Sequence, residues 1–214
     1  MLEHDFTDFT ALVPNHTLAR FCAHYELFRM AQRVPGCIVD IGVGHGGSAF
    51  AWAKMSHLWT REAGLKLVYG FDTFAGFPHV HTKDGSKVKV GDYNCGQSAL
   101  EHGRGKVNAG LPLHFVVGDI TQTVPRWAAH PQPPRIALLN LDADLYEPIK
   151  VALEHLMPLM ALGGVVVLDN YDTPKFPGEK LAVNEYFAEN GRRPDLHRFP
   201  WYDNPSAYFI VEGA

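Results

Sequence analysis

Cysteine is scarce in this 214-residue chain: Cys22, Cys37 and Cys95 are the only three, far apart and without a Cys-x-x-Cys pair. Such spacing offers neither a disulfide framework nor a thiolate zinc site, and it suits a reducing cytoplasm. Runs of basic residues are missing too, and the formal net charge is −4. The chain therefore lacks the positive footprint of a protein that grips a phosphate backbone, and nucleic acid is not an expected partner. No stretch approaches the roughly 18 to 20 apolar residues that span a bilayer. The acidic start MLEHDFTDFT has no charged-then-apolar leader pattern. A soluble, cytoplasmic protein with no membrane partner is expected. Apolar residues make up 46% and charged residues 20%, ample for a core, and the absence of a linker-like stretch predicts a single domain over 1–214.

What is present is a repeated order of strand and helix. From Thr17 to Val34, the residues Leu18, Phe21, Cys22, Tyr25, Phe28 and Ala31 recur at three- and four-residue steps until Pro35-Gly36. That spacing predicts an amphipathic helix within an N-terminal helical segment, 1–34. CIVDI, Cys37 to Ile41, is an apolar run too short for a helix and bounded by glycines, which suits a buried parallel strand. A helix-like stretch from Ser48 to about Thr60 follows, then strands in LKLVYGF ending at Asp72, LHFVV ending at Gly118-Asp119, and IALLNL ending at Asp142. A helix from about Glu147 to Met160 leads through Gly163-Gly164 into VVVL, closed by Asp169-Asn170, and a last helix lies near Glu179 to Glu189.

Strands alternating with helices of this length imply right-handed crossovers and a parallel sheet. HRFPW and AYFIVEG are instead separated only by Tyr202 to Ser206, a connection suited to an antiparallel hairpin. The expected fold class is α/β: a Rossmann-like, doubly wound, mostly parallel seven-stranded sheet with a C-terminal antiparallel hairpin. Between Phe74 and Cys95 there is little periodicity and many turn formers, which predicts a lid loop, 74–95, over a pocket.

In open α/β sheets ligands bind outside the carboxyl ends of the strands. After the first strand stands Asp40-Ile-Gly-Val-Gly-His-Gly-Gly-Ser48. Gly42, Gly44 and Gly47 let the backbone pass close to a ligand, and the helix that follows offers free N–H groups. On its own this turn also fits the dinucleotide pattern G-x-G-x-x-G, or mere packing of a helix on a strand. Asp72 is placed to accept both ribose hydroxyls of an adenosine, because a carboxylate carries two acceptor oxygens in one plane. Asp119 either accepts from an adenine amino group or caps the helix after it. The expected cofactor contacts are Asp40, Gly42, Gly44, Gly46, Gly47, Ser48, Asp72, Thr73, Phe74, Gly118, Asp119, Ile120 and Asp142.

The most informative stretches are LLNLDADLYEP, from Leu138, and VVVLDNY, from Val165. Asp142 and Asp169-Asn170 close successive strands, so two carboxylates and an amide converge as metal ligands, a hard oxygen set suited to Mg²⁺ or a similar divalent cation. Such an ion orients an acceptor hydroxyl and lowers its pKa while a carboxylate takes the proton. Asp144 is the first candidate for that catalytic base and Asp142 the second. His79 and His81 form an H-x-H pair with no other ligand nearby in sequence, a poor basis for a metal site.

DIGVGHGGS, YGFDTFAGFP, VGDITQTVP, LNLDADLYEPIKVALEHLMPLMALGGVVVLDNY and EKLAVNEYFAENG together resemble the macrocin O-methyltransferase (TylF-type) family, which methylates sugar hydroxyls in antibiotic biosynthesis. The resemblance runs from about Pro35 onward. It implies a class I methyltransferase fold, S-adenosylmethionine as donor, Mg²⁺ at the acceptor site and a homo-oligomer. Asp142 and Asp169 fall on the family's metal-ligand positions, and Asp144 on the other motif acid. Where the family usually carries a second aspartate, this chain has Asn170, as catechol-type methyltransferases do. The expected function is transfer of a methyl group from S-adenosylmethionine to a hydroxyl of a small molecule. The alternatives are a metal-independent or non-catalytic S-adenosylmethionine binder, and an NAD(P)-dependent oxidoreductase, for which no hydride-transfer partner is recognisable.

Overall fold

Five apolar runs pair side by side as parallel strands: β1 (Cys37–Ile41), β2 (Val68–Asp72), β3 (Leu113–Val117), β4 (Ile136–Leu141) and β5 (Met160–Leu168). A sixth, β6 (Ala207–Ile210), runs antiparallel to β5, and the sheet order is β3-β2-β1-β4-β5-β6. These features come from a computed structural model that describes residues 8–96, 101 and 110–213. The acidic start at 1–7 therefore lies outside the described residues.

Short, mostly apolar runs fold as strands here because the central strands β1, β4 and β5 are covered on both faces, whereas β3 at the sheet edge is only partly buried. Successive side chains point to opposite faces. Val39, Ile41, Leu139, Leu141, Val166 and Leu168 join one core cluster, while Ile38, Leu138, Val165 and Val167 join the other. The second cluster is sealed by α1 (Asn15–Ala31) and α2 (Gly47–Leu58) through Leu27, Phe28, Ala31, Trp52, Ala53 and Met55. After α3 (Thr60–Ala63), a single turn, the helices α4 (Ile120–Ala128), α5 (Tyr146–Leu156) and α6 (Pro177–Glu189) cover the first cluster with Val124, Ile149, Leu153, Val183 and Phe187. Each fully buried Leu, Ile or Phe among these stabilises the fold by about 1.5–3 kcal/mol before entropy is counted.

Several boundaries differ from the sequence expectation. The described sheet has six strands, not seven, because HRFPW contributes only a bridge between His197 and Tyr208. The next hydrogen-bonding pair of that ladder, Phe199 with Ser206, does not form, because Ser206 N donates to Asp169 O and Phe199 O accepts from Tyr202 N. The first long helix starts at Asn15 and stops at Ala31 rather than spanning Thr17 to Val34. The helix expected to reach Met160 ends at Leu156 and passes into a 3₁₀ turn, Met157–Leu159, whose centre is Pro158. Strand β5 then begins early enough to include Gly163-Gly164, and Gly163 takes φ +76° near an irregularity in the β4/β5 register.

The tips of β1 and β4 nearly touch. A Cβ on Gly42, which has φ +89°, would lie 2.0 Å from the backbone oxygen of Asp142. Only glycine allows the first loop to cross the end of β4 so closely, and this crossing sets the two halves of the site side by side.

Candidate functional site

The carboxyl ends of the strands open into a cavity of about 520 Å³. Gly42, Gly44, Gly47 and Ser48 line it after β1, Asp72 and Thr73 after β2, and Asp119 and Ile120 after β3. Asp142 and Asp144 enter it after β4, and Asp169 and Asn170 after β5. The structure thus brings most of the sequence-nominated residues to one cavity. Four of them do not line it: Asp40, Gly46, Phe74 and Gly118 stand behind the wall.

Asp40 is the clearest of these departures. It is fully buried, accepting from Ser48 Oγ at 2.8 Å and Asn140 Nδ2 at 2.7 Å. Burial pushes its carboxyl up to about 6, against the pull of Asn140 and Ser48. It braces β1 against β4 and the start of α2. Asp72 does face the cavity. Its two oxygens accept from Gly44 N at 2.8 Å and Phe74 N at 2.6 Å, which fixes its plane and leaves one lone pair on each oxygen for a diol. Asp119 caps α4 by accepting from Thr121 N at 2.9 Å, while its other oxygen lies 3.7 Å from His79 Nδ1. Asp119 therefore takes the cap position foreseen for it and also lines the cavity.

The acidic end is tightly cross-linked. Asn170 Nδ2 donates to Asp144 Oδ1 at 2.6 Å and lies 3.4 Å from Asp142 Oδ1. The backbone N–H of Asn170 donates to Glu179 Oε1 at 3.1 Å, a fully buried carboxyl held well above its ordinary range by burial and by Asp169. Asp144 sits at φ 62°, a left-handed conformation costing about 1 kcal/mol even for aspartate. Tyr93, another wall residue, shares it at φ 61°. Burial first, and the Asp169 charge second, push Asp144 up to about 7, opposed by Lys175 and Arg20. The same two causes raise Asp142 well above the usual carboxylate range.

Arg20, on α1, was not foreseen. Its Nη2 lies 2.9 Å from Asp142 Oδ2 and 3.0 Å from Asp169 Oδ1, bridging the two carboxylates. Its Nη1 donates to Asn204 Oδ1, and Asn204 Nδ2 donates to Asp169 Oδ2 at 2.9 Å. Although burial opposes its charge, Asp169 and Asp142 hold the Arg20 pKa above the ordinary guanidinium value. Neither residue stands in a motif: Arg20 occupies one turn of an amphipathic helix, and Asn204 a loop. Among the described residues, no three His, Cys, Asp or Glu side chains stand together in metal-ligating geometry. The point on which Asp142 and Asp169 converge is taken by a guanidinium nitrogen. The donor set nevertheless fits a divalent ion in kind, being two carboxylates and an amide, and the placement of Arg20 marks that point as one that holds a cation.

The expected lid forms a wall of the cavity through Gly76, Phe77, Pro78, His79, Tyr93, Asn94 and Cys95. It is pinned to the body. Asp84, 1% exposed, accepts from Tyr146 N at 2.6 Å and His81 N at 2.7 Å, and Lys83 pairs with Glu185 at 2.7 Å. His81 is engaged locally, accepting from Lys83 N at 3.1 Å. His79 Nε2 instead meets Glu147 Oε2 at 3.0 Å at the cavity edge.

A doubly wound sheet with this cleft and an antiparallel last strand is the class I methyltransferase fold. The structure is similar to CalS11, a calicheamicin methyltransferase, with a TM-score of 0.84 and 27% identity over 98% of this chain and 85% of that one. It also shares its fold with the O-methyltransferase NovP, at a TM-score of 0.67 and 22% identity, covering 89% of this chain and 80% of that one. The chain belongs to the macrocin O-methyltransferase (TylF) family, whose profile matches residues 26–209.

Among curated relatives, it is 31% identical to a tetracenomycin-C rhamnosyl 4'-O-methyltransferase of Streptomyces olivaceus, over 76% of this chain and 62% of the relative. It is 26% identical to the mycinamicin III 3''-O-methyltransferase of Micromonospora griseorubida, over 74% and 63% respectively. The chain thus spans less than two thirds of the length of these relatives.

Proposed function

We propose that the protein transfers a methyl group from S-adenosylmethionine to a hydroxyl of a sugar, or of another vicinal diol, in natural-product biosynthesis. One observation carries this reading: the glycine turn with Asp72 and the acids Asp142, Asp144 and Asp169 share a single cavity. S-Adenosylmethionine supplies an electrophilic methyl on a sulfonium, and a divalent ion held by Asp142, Asp169 and Asn170 supplies Lewis acidity toward the acceptor hydroxyl. The chain's own residues do the rest. Gly42 and Gly44 let the chain's backbone pass close to the cofactor, and Asp72, already aimed by Gly44 N and Phe74 N, would accept from the ribose hydroxyls. Asp144, raised to about 7, is matched to a proton acceptor working near neutral pH, with Asp142 as the second candidate. With donor and acceptor bound, this carboxylate would take the hydroxyl proton that the acceptor releases on methyl transfer.

The name of one relative, which specifies a rhamnosyl-tetracenomycin-C 4'-O-methyltransferase, supports a sugar acceptor. Three cysteines without a Cys-x-x-Cys pair suit a reducing cytoplasm, and no described helix is long and apolar enough to cross a membrane. A homo-oligomer in solution belongs to the same proposal. Titration with S-adenosylmethionine and with NAD(P)H, followed by methyl transfer to glycosides before and after complete chelation, tests it. Binding of S-adenosylmethionine with loss of transfer on chelation is the expected result. NAD(P)H binding without S-adenosylmethionine binding overturns the assignment. Transfer that survives chelation favours a second reading, metal-independent methylation, which the Arg20 guanidinium between the two acids supports.

A further inference from the structure

We propose that Arg20 is a tethered counter-ion that closes the acidic site in the metal-free protein and has to withdraw before a divalent cation binds. This rests on the metal-assisted reading and adds an element of control that no motif carries. The guanidinium nitrogen Nη2 approaches Asp142 Oδ2 and Asp169 Oδ1 at 2.9 and 3.0 Å, the two side chains nominated as ligands. A divalent ion takes such oxygens at roughly 2.0–2.6 Å. It cannot share them with a positive nitrogen placed between them, because both the space and the charge are already taken. Occupation by the two cations is therefore mutually exclusive.

The contact is built rather than incidental. Three carboxyls, Asp142, Asp144 and Asp169, line one end of the cavity, where like charges repel when ionised. A cation there relieves that repulsion, and Arg20 is latched in place a second time through Asn204, which itself holds Asp169. The side chain also has a way out. Its head belongs to a cavity wall and its side chain is 36% exposed, whereas Ala23, Leu27 and Phe28, farther along α1, are buried against the sheet. The helix stays docked while the arginine leaves.

The experiment compares Mn²⁺ binding by electron paramagnetic resonance, together with thermal melting in chelator and in Mg²⁺, for the unmodified protein, Arg20→Met and Arg20→Lys. Arg20→Met removes the competitor, so it is expected to bind Mn²⁺ at least about tenfold more tightly. It should also melt lower in chelator and gain more from Mg²⁺ than the unmodified protein. Arg20→Lys keeps the charge but lacks the fork that reaches Asn204 and both acids together. Its affinity is expected above that of the unmodified protein, and this comparison stands even where the Met variant does not fold without metal. Equal or weaker Mn²⁺ binding in the variants overturns the competition while leaving the metal site intact. Absence of Mn²⁺ binding in all three proteins overturns the metal-assisted reading itself, and the competition with it.

Discussion

Replacing Asp40 by asparagine separates a carboxyl buried inside the fold from the acids that face the cavity. Asp40 is wholly enclosed and its carboxyl stands at about 6, against an ordinary 3.8, chiefly because burial penalises the charge. Between those two values the unfolded chain has lost its proton and the folded chain retains it. The native state then binds more protons, so stability falls as pH rises through the window, and the full loss stands at neutral pH. At about 1.4 kcal/mol for each tenfold change in proton affinity, the gap amounts to roughly 3 kcal/mol. Asparagine has the same shape and stays neutral. Its Oδ1 accepts from Asn140, and its amide donates to the Ser48 oxygen.

Urea unfolding at a series of pH values reads the difference. The variant should match the parent near about pH 4 and exceed it by about 2–3 kcal/mol above about pH 7, a melting rise of roughly 4–12 °C. A stability gap that does not widen across that interval refutes the reasoning. Affinity for S-adenosylmethionine should be unchanged, because Asp40 does not line the cavity. A large loss of affinity would mean that this carboxyl reaches the cofactor, as the sequence pattern alone suggested.

Asp142→Ala should lower turnover at least about 100-fold, through loss of acceptor positioning and of a proton acceptor. Its melting temperature should hold or rise, since the ionised carboxyl is disfavoured by burial and by Asp169; a normal kcat in steady-state methyl transfer would remove the assignment. Gly42→Ala should cost about 3 kcal/mol or more in a urea melt, because its Cβ would collide with the Asp142 backbone at a φ that disfavours side chains. An alanine variant as stable as the parent would show that the β1–β4 crossing relaxes freely.

The parallel strands were readable from sequence because their cause is local: a short, mostly apolar run bounded by turn formers is stable chiefly between two layers. Strand-end acids were readable for a related reason, since Asp72, Asp142 and Asp169 interrupt those runs where the sheet meets solvent. The antiparallel hairpin was readable from its short connection, but the strand count was not, because the first arm pairs only at His197 and Tyr208 and Ser206 N is spent on Asp169 O instead of Phe199. Asp40 was placed in the cleft because a strand end followed by glycine looks the same whether its carboxyl points outward or back toward Asn140. Arg20 and Asn204 could not be read at all. They meet the acids across 122 and 35 residues of chain, and each sits in a stretch whose composition announces only a helix surface or a loop.

Asn170 gains a physical explanation from that unread partner. Its amide donates to Asp144 and lies beside Asp142; an aspartate there would set a fourth negative oxygen pair against two carboxylates at those distances. In a partly buried cavity such crowding demands a cation at all times. With an amide the cluster carries less charge, and one guanidinium, helped by two asparagines, is enough to hold it together. The departure at position 170 and the arginine on α1 are thus two parts of one electrostatic arrangement, in which an amide and an internal cation together hold the neighbouring carboxyls.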